Sequence, residues 1–263
     1  MMVEHLQKIL VRSGHERWAW PIAESSEPAI KIKTVFSDEK LIPIGVSKFG
    51  GTPHVPFDFA WPRSTAGQPM SFLAQIHFAE FIPFQWMGWK VPLPEEGLVS
   101  LFKSMVGPEE IRTFFFNNPA SLVRWDDPFA IDSPVRRLLQ KGQARPDDGS
   151  IHFPPRSLSF DQFLSLPEVC ERARAMGQTD DEAEAYRQFA IEHNSTGGRH
   201  QMLGFAVGSK ERDPGQTLLL QLDSDPLVNW SWPESTCIVI TMATDDLQHC
   251  RFDHARLHVS RCS

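Results

Sequence analysis

Cysteine is scarce in this chain: Cys170, Cys237, Cys250 and Cys262 are the four among 263 residues, and no two form a C-x-x-C pair. That scarcity argues against a disulfide framework and makes a reducing cytoplasm the expected setting. Positive charge is in deficit too, with 26 Lys and Arg against 33 Asp and Glu for a net charge of −7. Neither nucleic acid nor an anionic membrane is therefore expected as principal partner, and a basic protein suits the charge better. No run of about 18 uncharged apolar residues occurs, and Met1 to Lys8 has no basic segment leading into an apolar stretch, so a soluble chain without a signal peptide is expected. The phosphate-loop spacings G-x-G-x-x-G and G-x-x-x-x-G-K-[ST] and the G-x-S-x-G elbow are missing. No cofactor and no catalytic set are expected on these grounds.

What is present is a core supply and a repeat. Hydrophobic residues make up 41% of the chain, enough for a sizeable core without metal or disulfide help. Gly50-Gly51 precedes the apolar run Phe72-Leu73-Ala74-Gln75-Ile76, and Gly197-Gly198 precedes Leu218-Leu219-Leu220-Gln221-Leu222. The second glycine stands 24 residues before the glutamine in one copy and 23 in the other, which predicts a doubled architecture. In each copy a glutamine interrupts a run that otherwise reads as buried strand, and an unpartnered amide there costs about 1–3 kcal/mol. Both amides are expected to tie the core together.

Val3, Leu6, Ile9 and Leu10 recur at helical spacing and predict an N-terminal helix ending at Ser13-Gly14. The alternation of Ile30 and Ile32 with Lys31 and Lys33 predicts a half-buried strand, and further strands are expected near 71–78, 97–103 and 113–116. Ser133-Pro134 with Gly142 marks a short helix over that segment. The patterns Ser165-Leu166-Pro167-Glu168 and Thr179-Asp180-Asp181-Glu182 read as capping boxes opening helices over 167–176 and 180–193. Strands resume at 218–222, 237–242 and 255–262. The expected fold is α+β: a single domain over 1–263 with a large, mainly antiparallel sheet and an internal pseudo-repeat. Its parts are a β-rich half over 29–117, a loop and helical insertion over 118–195, and a second β-rich half over 196–263.

Several residue groups invite chemistry. Cys250, His254, His258 and Cys262 supply a zinc donor set, but Leu257-His258-Val259 reads as strand, where residues four apart are separated by about 13 Å. No metal is expected there. Asp223 and Asp225 lie on one side of an extended chain, yet Asp-Ser-Asp-Pro also makes a turn whose carboxylates satisfy backbone donors. Ser195 with His193, His200 and Asp213 offers catalytic residue types without a motif that joins them. Trp86 and Trp89, in an aromatic stretch broken by prolines, become binding anchors if exposed. Asp180, Asp181, Glu182 and Glu184 suit the start of a helix and also present negative charge to a cationic partner.

Ser47-Lys48-Phe49-Gly50-Gly51-Thr52-Pro53, Trp61-Pro62, Pro69 to Phe78, Gly97-Leu98 with Phe102, His200-Gln201-Met202-Leu203-Gly204 and Leu218 to Asp225 resemble the YwqG-like family of bacterial domains. The resemblance spans roughly residues 45–262. It implies a mainly antiparallel α+β fold without established catalytic residues, and an association with bacterial toxin and immunity genes. The residues carried by these motifs are Lys48, Gly50, Gly51, Gln75, His200, Gln201, Gln221, Asp223 and Asp225, in a structural or ligand role. Where the family carries an Asp-Gly pair after its second glutamine strand, this chain has Trp230-Ser231-Trp232-Pro233-Glu234.

Charge, missing motifs and resemblance together lead to the expectation of a non-enzymatic cytoplasmic immunity protein. It would neutralise a basic toxin domain, such as a nuclease, by direct binding. The alternative is a small-ligand or metal-dependent enzyme with Lys48, Gln75, His200, Gln221 and Asp223 facing a cleft between the halves. A scaffold acting within a larger assembly is a third reading. The oligomeric state is left open by the sequence.

Overall fold

A computed structural model describes residues 2–86, 92–125, 152–196, 200–206, 215–233 and 236–261. Leu6 and Leu10 give helix α1 (Met2–Arg12) its buried stripe, and Gly14 ends it at φ +85°. After α2 (Ala19–Glu24) come β1 (Glu27–Phe36), β2 (Lys48–Phe49), β3 (His54–Val55), β4 (Ser71–His77), α3 (Ile82–Trp86), β5 (Leu98–Lys103), β6 (Ile111–Phe116) and β7 (Val123–Arg124). The chain continues through β8 (Arg156–Ser165), α4 (Glu171–Ala175), α5 (Asp180–Ser195), β9 (His200–Leu203), β10 (Gln216–Leu222), β11 (Thr236–Ala243), α6 (Thr244–Gln248) and β12 (Arg256–Arg261). The predicted helix over 133–142 lies outside the described residues.

Ten strands form one antiparallel sheet in the order β12-β11-β10-β9-β1-β8-β2-β4-β5-β6, and β3 pairs with β7 apart from it. Alternation sends Ile30, Ile32, Phe49, Ala74, Ile76, Met202, Leu220, Leu222, Ile238 and Ile240 to one face, where they form the largest apolar cluster. The sheet curls around this cluster until its ends approach. Phe252, just before β12, stacks on Phe115 at 4.9 Å and Phe78 at 5.3 Å, and its carbonyl accepts a hydrogen bond from Thr113 Oγ1 on β6. On the other face, α1, α2, α4 and α5 enclose a second cluster including Leu10, Trp18, Ile22, Leu166 and Tyr186.

The duplication is visible in the register. Lys48 pairs with Gln75 across β2 and β4 as Gln201 pairs with Gln221 across β9 and β10. The β4/β5 ladder slips between Phe72 and Ala74, and the β10/β11 ladder slips between Leu218 and Leu220, each just before the glutamine. The central strands are exchanged: β1, from the first half, borders β9 of the second, and β8 borders β2 of the first.

Several expectations are corrected. The counterpart of Gly50-Gly51 (φ +57° and +66°) is Leu203-Gly204 (φ +62° and +66°), because these follow the matched residues Lys48 and Gln201 by the same two steps; Gly197-Gly198 lies outside the described residues. A Cβ on Gly51 would come 2.8 Å from Pro155 Cβ, and one on Gly204 2.8 Å from Ala29 Cβ, each against the neighbouring central strand. The insertion over 118–195 is not only loop and helix, since it contains β8, a central strand of ten residues. Ser165 therefore ends a strand instead of capping a helix: its Oγ accepts the Phe205 N–H at 3.0 Å, and the first helical residue is Glu171. Lys31 is 4% exposed and not solvated, because Gln201 and Asp161 flank it in the ladder and Phe163 lies under its ammonium at 4.4 Å. Cys170 and Cys250 are free thiols, whereas Cys237 is disulfide-bonded, contrary to the expectation drawn from cysteine count.

Candidate functional site

The motif residues fall on opposite faces of the sheet. Lys48 and Gln75, directly paired, sit on the outer face, where Lys48 Nζ lies 6.0 Å above the Phe72 ring. Lys48 is fully buried and its ammonium meets Glu39 Oε1 at 2.5 Å. Glu39 Oε2 also accepts the Thr52 N–H at 3.1 Å, and Arg124 Nε lies 3.5 Å from Oε1. Gly51 leaves the room for this carboxylate, since a Cβ there would overlap Glu39 Oε2 at 1.8 Å. Gln75 Oε1 accepts the His54 N–H at 2.9 Å and its Nε2 donates to Val46 O at 2.6 Å. His54 Nδ1 accepts from Gly45 N–H at 3.1 Å, which places the ring proton on Nε2. Burial, and then the charges of Lys48 and Arg124, push the His54 pKa down to about 3. On the second half, buried Gln201 donates from Nε2 to the carbonyls of Leu203 (3.0 Å) and Phe205 (2.7 Å), and Gln221 is buried beside it.

His200 lies on the inner face. Its ring packs edge-on to Phe49 at 5.1 Å and Trp230 at 5.5 Å, its Nδ1 accepts the Asp223 N–H at 3.2 Å, and its Nε2 donates to Asp225 Oδ2 at 3.2 Å. Thr34 Oγ1 donates to the same oxygen at 3.1 Å, while Asp225 Oδ1 accepts the Leu227 N–H at 2.8 Å. The hydrogen bond from His200 is the main reason the Asp225 carboxyl is held below the usual range. Asp223 Oδ1 accepts the Ser224 N–H at 2.6 Å, so both carboxylates serve the turn after β10. The ten-stranded sheet separates His200 from Lys48, Gln75 and Gln201. Among the described residues no three His, Cys, Asp or Glu side chains come together as metal ligands.

The acidic residues tell a different story. A cavity of about 410 Å³ opens between α4 and the start of α5, lined by Glu168, Arg174, Gln178, Asp180, Asp181 and Glu184 among others. Hydrogen bonds tie α5, which forms one wall, to residues 164–167. Asn194 pairs its amide with the backbone of Leu166 at 2.9 and 2.7 Å, Tyr186 donates to Pro167 O at 2.6 Å, and His193 Nε2 donates to Leu164 O at 2.8 Å. Arg187 holds Glu184 through two hydrogen bonds at 2.8 and 2.9 Å, which together with Gln188 bring that carboxyl down to about 2. Arg174 meets Asp180 at 2.7 Å. Glu182 does not line the cavity: its Oε2 accepts the Thr179 N–H at 2.8 Å, its own N–H donates to Thr179 Oγ1 at 3.3 Å, and this closes the capping box of α5. Trp86 ends α3, and Trp89 lies outside the described residues. Sequence reasoning missed Glu39 and His54 on the outer face and Gln178 in the cavity; no spacing marks any of them.

An internally duplicated, mainly antiparallel α+β domain with strand-exchanged halves is the class that fold and site define. Residues 47–260 match the family model described as a domain of unknown function, DUF1963, and the chain belongs to that family. No curated protein matches it. Among the described residues no helix is long and apolar enough to cross a membrane.

Proposed function

We propose that this protein acts by binding a basic protein partner, and that it is an immunity protein which neutralises a bacterial toxin domain, with a nuclease as a fitting target. The observation that carries this reading is the accessible acidic cavity at Asp180, Asp181 and Glu184, set on a helix clamped to the central sheet. Lys48 and Gln75, by contrast, have their polar atoms engaged inside the fold. A net charge of −7 favours rapid encounter with a cationic surface of the kind that binds nucleic acid. The resemblance to YwqG-like proteins and its toxin and immunity associations point the same way. A cytoplasmic site of action accords with the free thiols Cys170 and Cys250, and the bonded Cys237 is the observation on the other side.

Co-expression with the toxin domain encoded beside the gene tests the proposal. Rescue of growth and co-purification of the two chains are expected, with both weakened when Asp180 and Asp181 are replaced by lysine. A chain that neither rescues nor co-purifies overturns it.

A further inference from the structure

Strand β12 runs counter to the charge of the whole protein. The net charge is −7, yet the sequence from Ala255 to Ser263 includes Arg256, His258 and Arg261 and no carboxylate, and the neighbouring strand β11 has no charged residue. Among the described residues β12 pairs with β11 alone, at one end of the ten-stranded sheet, and no loop bonds to its backbone. In an antiparallel ladder alternate residues turn their N–H and C=O groups toward the neighbour, so half of those on β12 face outward along a free edge. Arg256, His258, Val259 and Arg261 are exposed there, and neither arginine has an ion pair or hydrogen bond among the described residues. Leu257 packs on the inner apolar cluster, so Leu257, Val259 and Arg261 share the inner side of the strand, and Arg256, His258 and Ser260 the outer. Two occupants can complete such an edge, a second copy of the chain or a foreign strand. Full antiparallel overlap of two copies of β12 sets Arg256 of each opposite Arg261 of the other, and like charges directly opposed destabilise a ladder. A strand with carboxylates at those stations makes the same two positions attractive. We propose that β12 is the docking edge for an extended acidic segment of another protein, which lengthens the sheet by one strand: its backbone bonds the free edge, its carboxylates meet Arg256 and Arg261, and its apolar side chains pack beside Leu257 and Val259. Charge on an edge guards against self-association, and here it does so while leaving the main chain open to a strand of opposite sign. The assignment is independent of the toxin-binding reading, which concerns the acidic start of α5.

The probe is acetyl-Glu-Thr-Val-Thr-Val-Glu-amide, which in antiparallel register brings its glutamates opposite Arg261 and Arg256 and its valines opposite Val259 and Leu257. Amide NMR of the whole protein is expected to show saturable shifts centred on β12 and β11. Affinity should fall about tenfold or more for the Lys-Thr-Val-Thr-Val-Lys analogue, and likewise for the glutamate peptide when Arg256→Glu and Arg261→Glu are combined. That double variant, altered only at exposed positions, is expected to prefer the lysine peptide, which a misfolded chain would not do. Two N-methylated glutamate peptides, one modified at its second and fourth residues and the other at its third and fifth, separate strand addition from charge attraction on the unaltered protein. Only the N–H groups that face β12 are needed, so one of these peptides is expected to bind and the other to fail. Absence of saturable binding, no preference by charge, or indistinguishable behaviour of the two N-methylated peptides overturns the proposal. A dimer in which β12 is protected from hydrogen exchange overturns it too, since the edge is then filled by a second copy.

Discussion

Ser47 and His200 hold the same station in the two halves of the fold, each accepting the backbone N–H two residues past the strand glutamine of its half. His77 N–H reaches Ser47 Oγ at 2.8 Å, and Asp223 N–H reaches His200 Nδ1 at 3.2 Å. Each station also meets a carboxylate: Glu80 accepts the Ser47 N–H at 2.7 Å, and Asp225 accepts from the His200 ring. A hydroxyl and an imidazole performing one task identify that task as hydrogen bonding at the strand end. Imidazole chemistry is not what the position requires.

The Lys48 and Glu39 pair should dominate the stability of the first half. Glu39→Gln leaves a fully buried ammonium short of its counter-charge and is expected to destabilise the protein by about 2–4 kcal/mol. Adding Lys48→Met is expected to restore most of that loss. Urea unfolding of the four members of the cycle measures both effects, and additive losses would show that the two residues do not act as a pair.

Acid should weaken the fold before most carboxylates titrate. Because the folded pKa of His54 is depressed to about 3, the unfolded chain takes up a proton below its ordinary value of 6.5 that the folded chain refuses. The stabilisation is complete above pH 6.5 and falls by about 1.4 kcal/mol per pH unit below it. His15 and His193, also lowered by burial, add to the slope in the same sense. Urea midpoints between pH 4.5 and 7 should show this decline, and His54→Gln should flatten it without abolishing it.

Lys31 makes the opposite prediction at alkaline pH. Burial pushes its pKa from the ordinary 10.5 down to about 8, so folding is penalised while the amine is charged and the penalty lifts as pH rises from 8 to 10.5. Lys31→Met is expected to stabilise the protein by about 2–3 kcal/mol at pH 7, with the advantage shrinking by pH 10. Denaturant titrations at the two pH values are the measurement.

Gly204 and Gly177 separate backbone strain from crowding. Both have positive φ, at +66° and +93°, but a Cβ on Gly204 would lie 2.6 Å from Ser165 Cβ whereas one on Gly177 meets nothing within 4 Å. Gly177→Ala is expected to cost about 1–2 kcal/mol, and Gly204→Ala about 1–3 kcal/mol more. Equal losses would mean that close packing onto Ala29 and Ser165 contributes nothing.

The strands that carry long apolar runs were legible, from Ser71–His77 to Thr236–Ala243, because burial on both faces leaves a continuous hydrophobic signature. β8 was hidden. Its outer positions Ser157, Ser159 and Asp161 dilute the run, and Ser165 with Glu168 imitates a helix start. β9 is four residues long, and its polar His200 and Gln201 are buried against partners that no local pattern announces: the turn after β10 for His200, and the carbonyls of Leu203 and Phe205 for Gln201. The acidic start of α5 was readable from its capping box, whereas Gln178 lines the cavity only together with Glu168 and Tyr186, which tertiary structure brings to it.

The traded positions of β1 and β8 impose an order on biogenesis. As the polypeptide leaves the ribosome, β1 has no ladder partner until residues 156–165 emerge, and its other edge waits for residues 200–203. The nascent N-terminal portion must hold an unpaired hydrophobic ribbon in solution throughout that interval, and cutting the chain between its two halves would give fragments that mature only by finding each other.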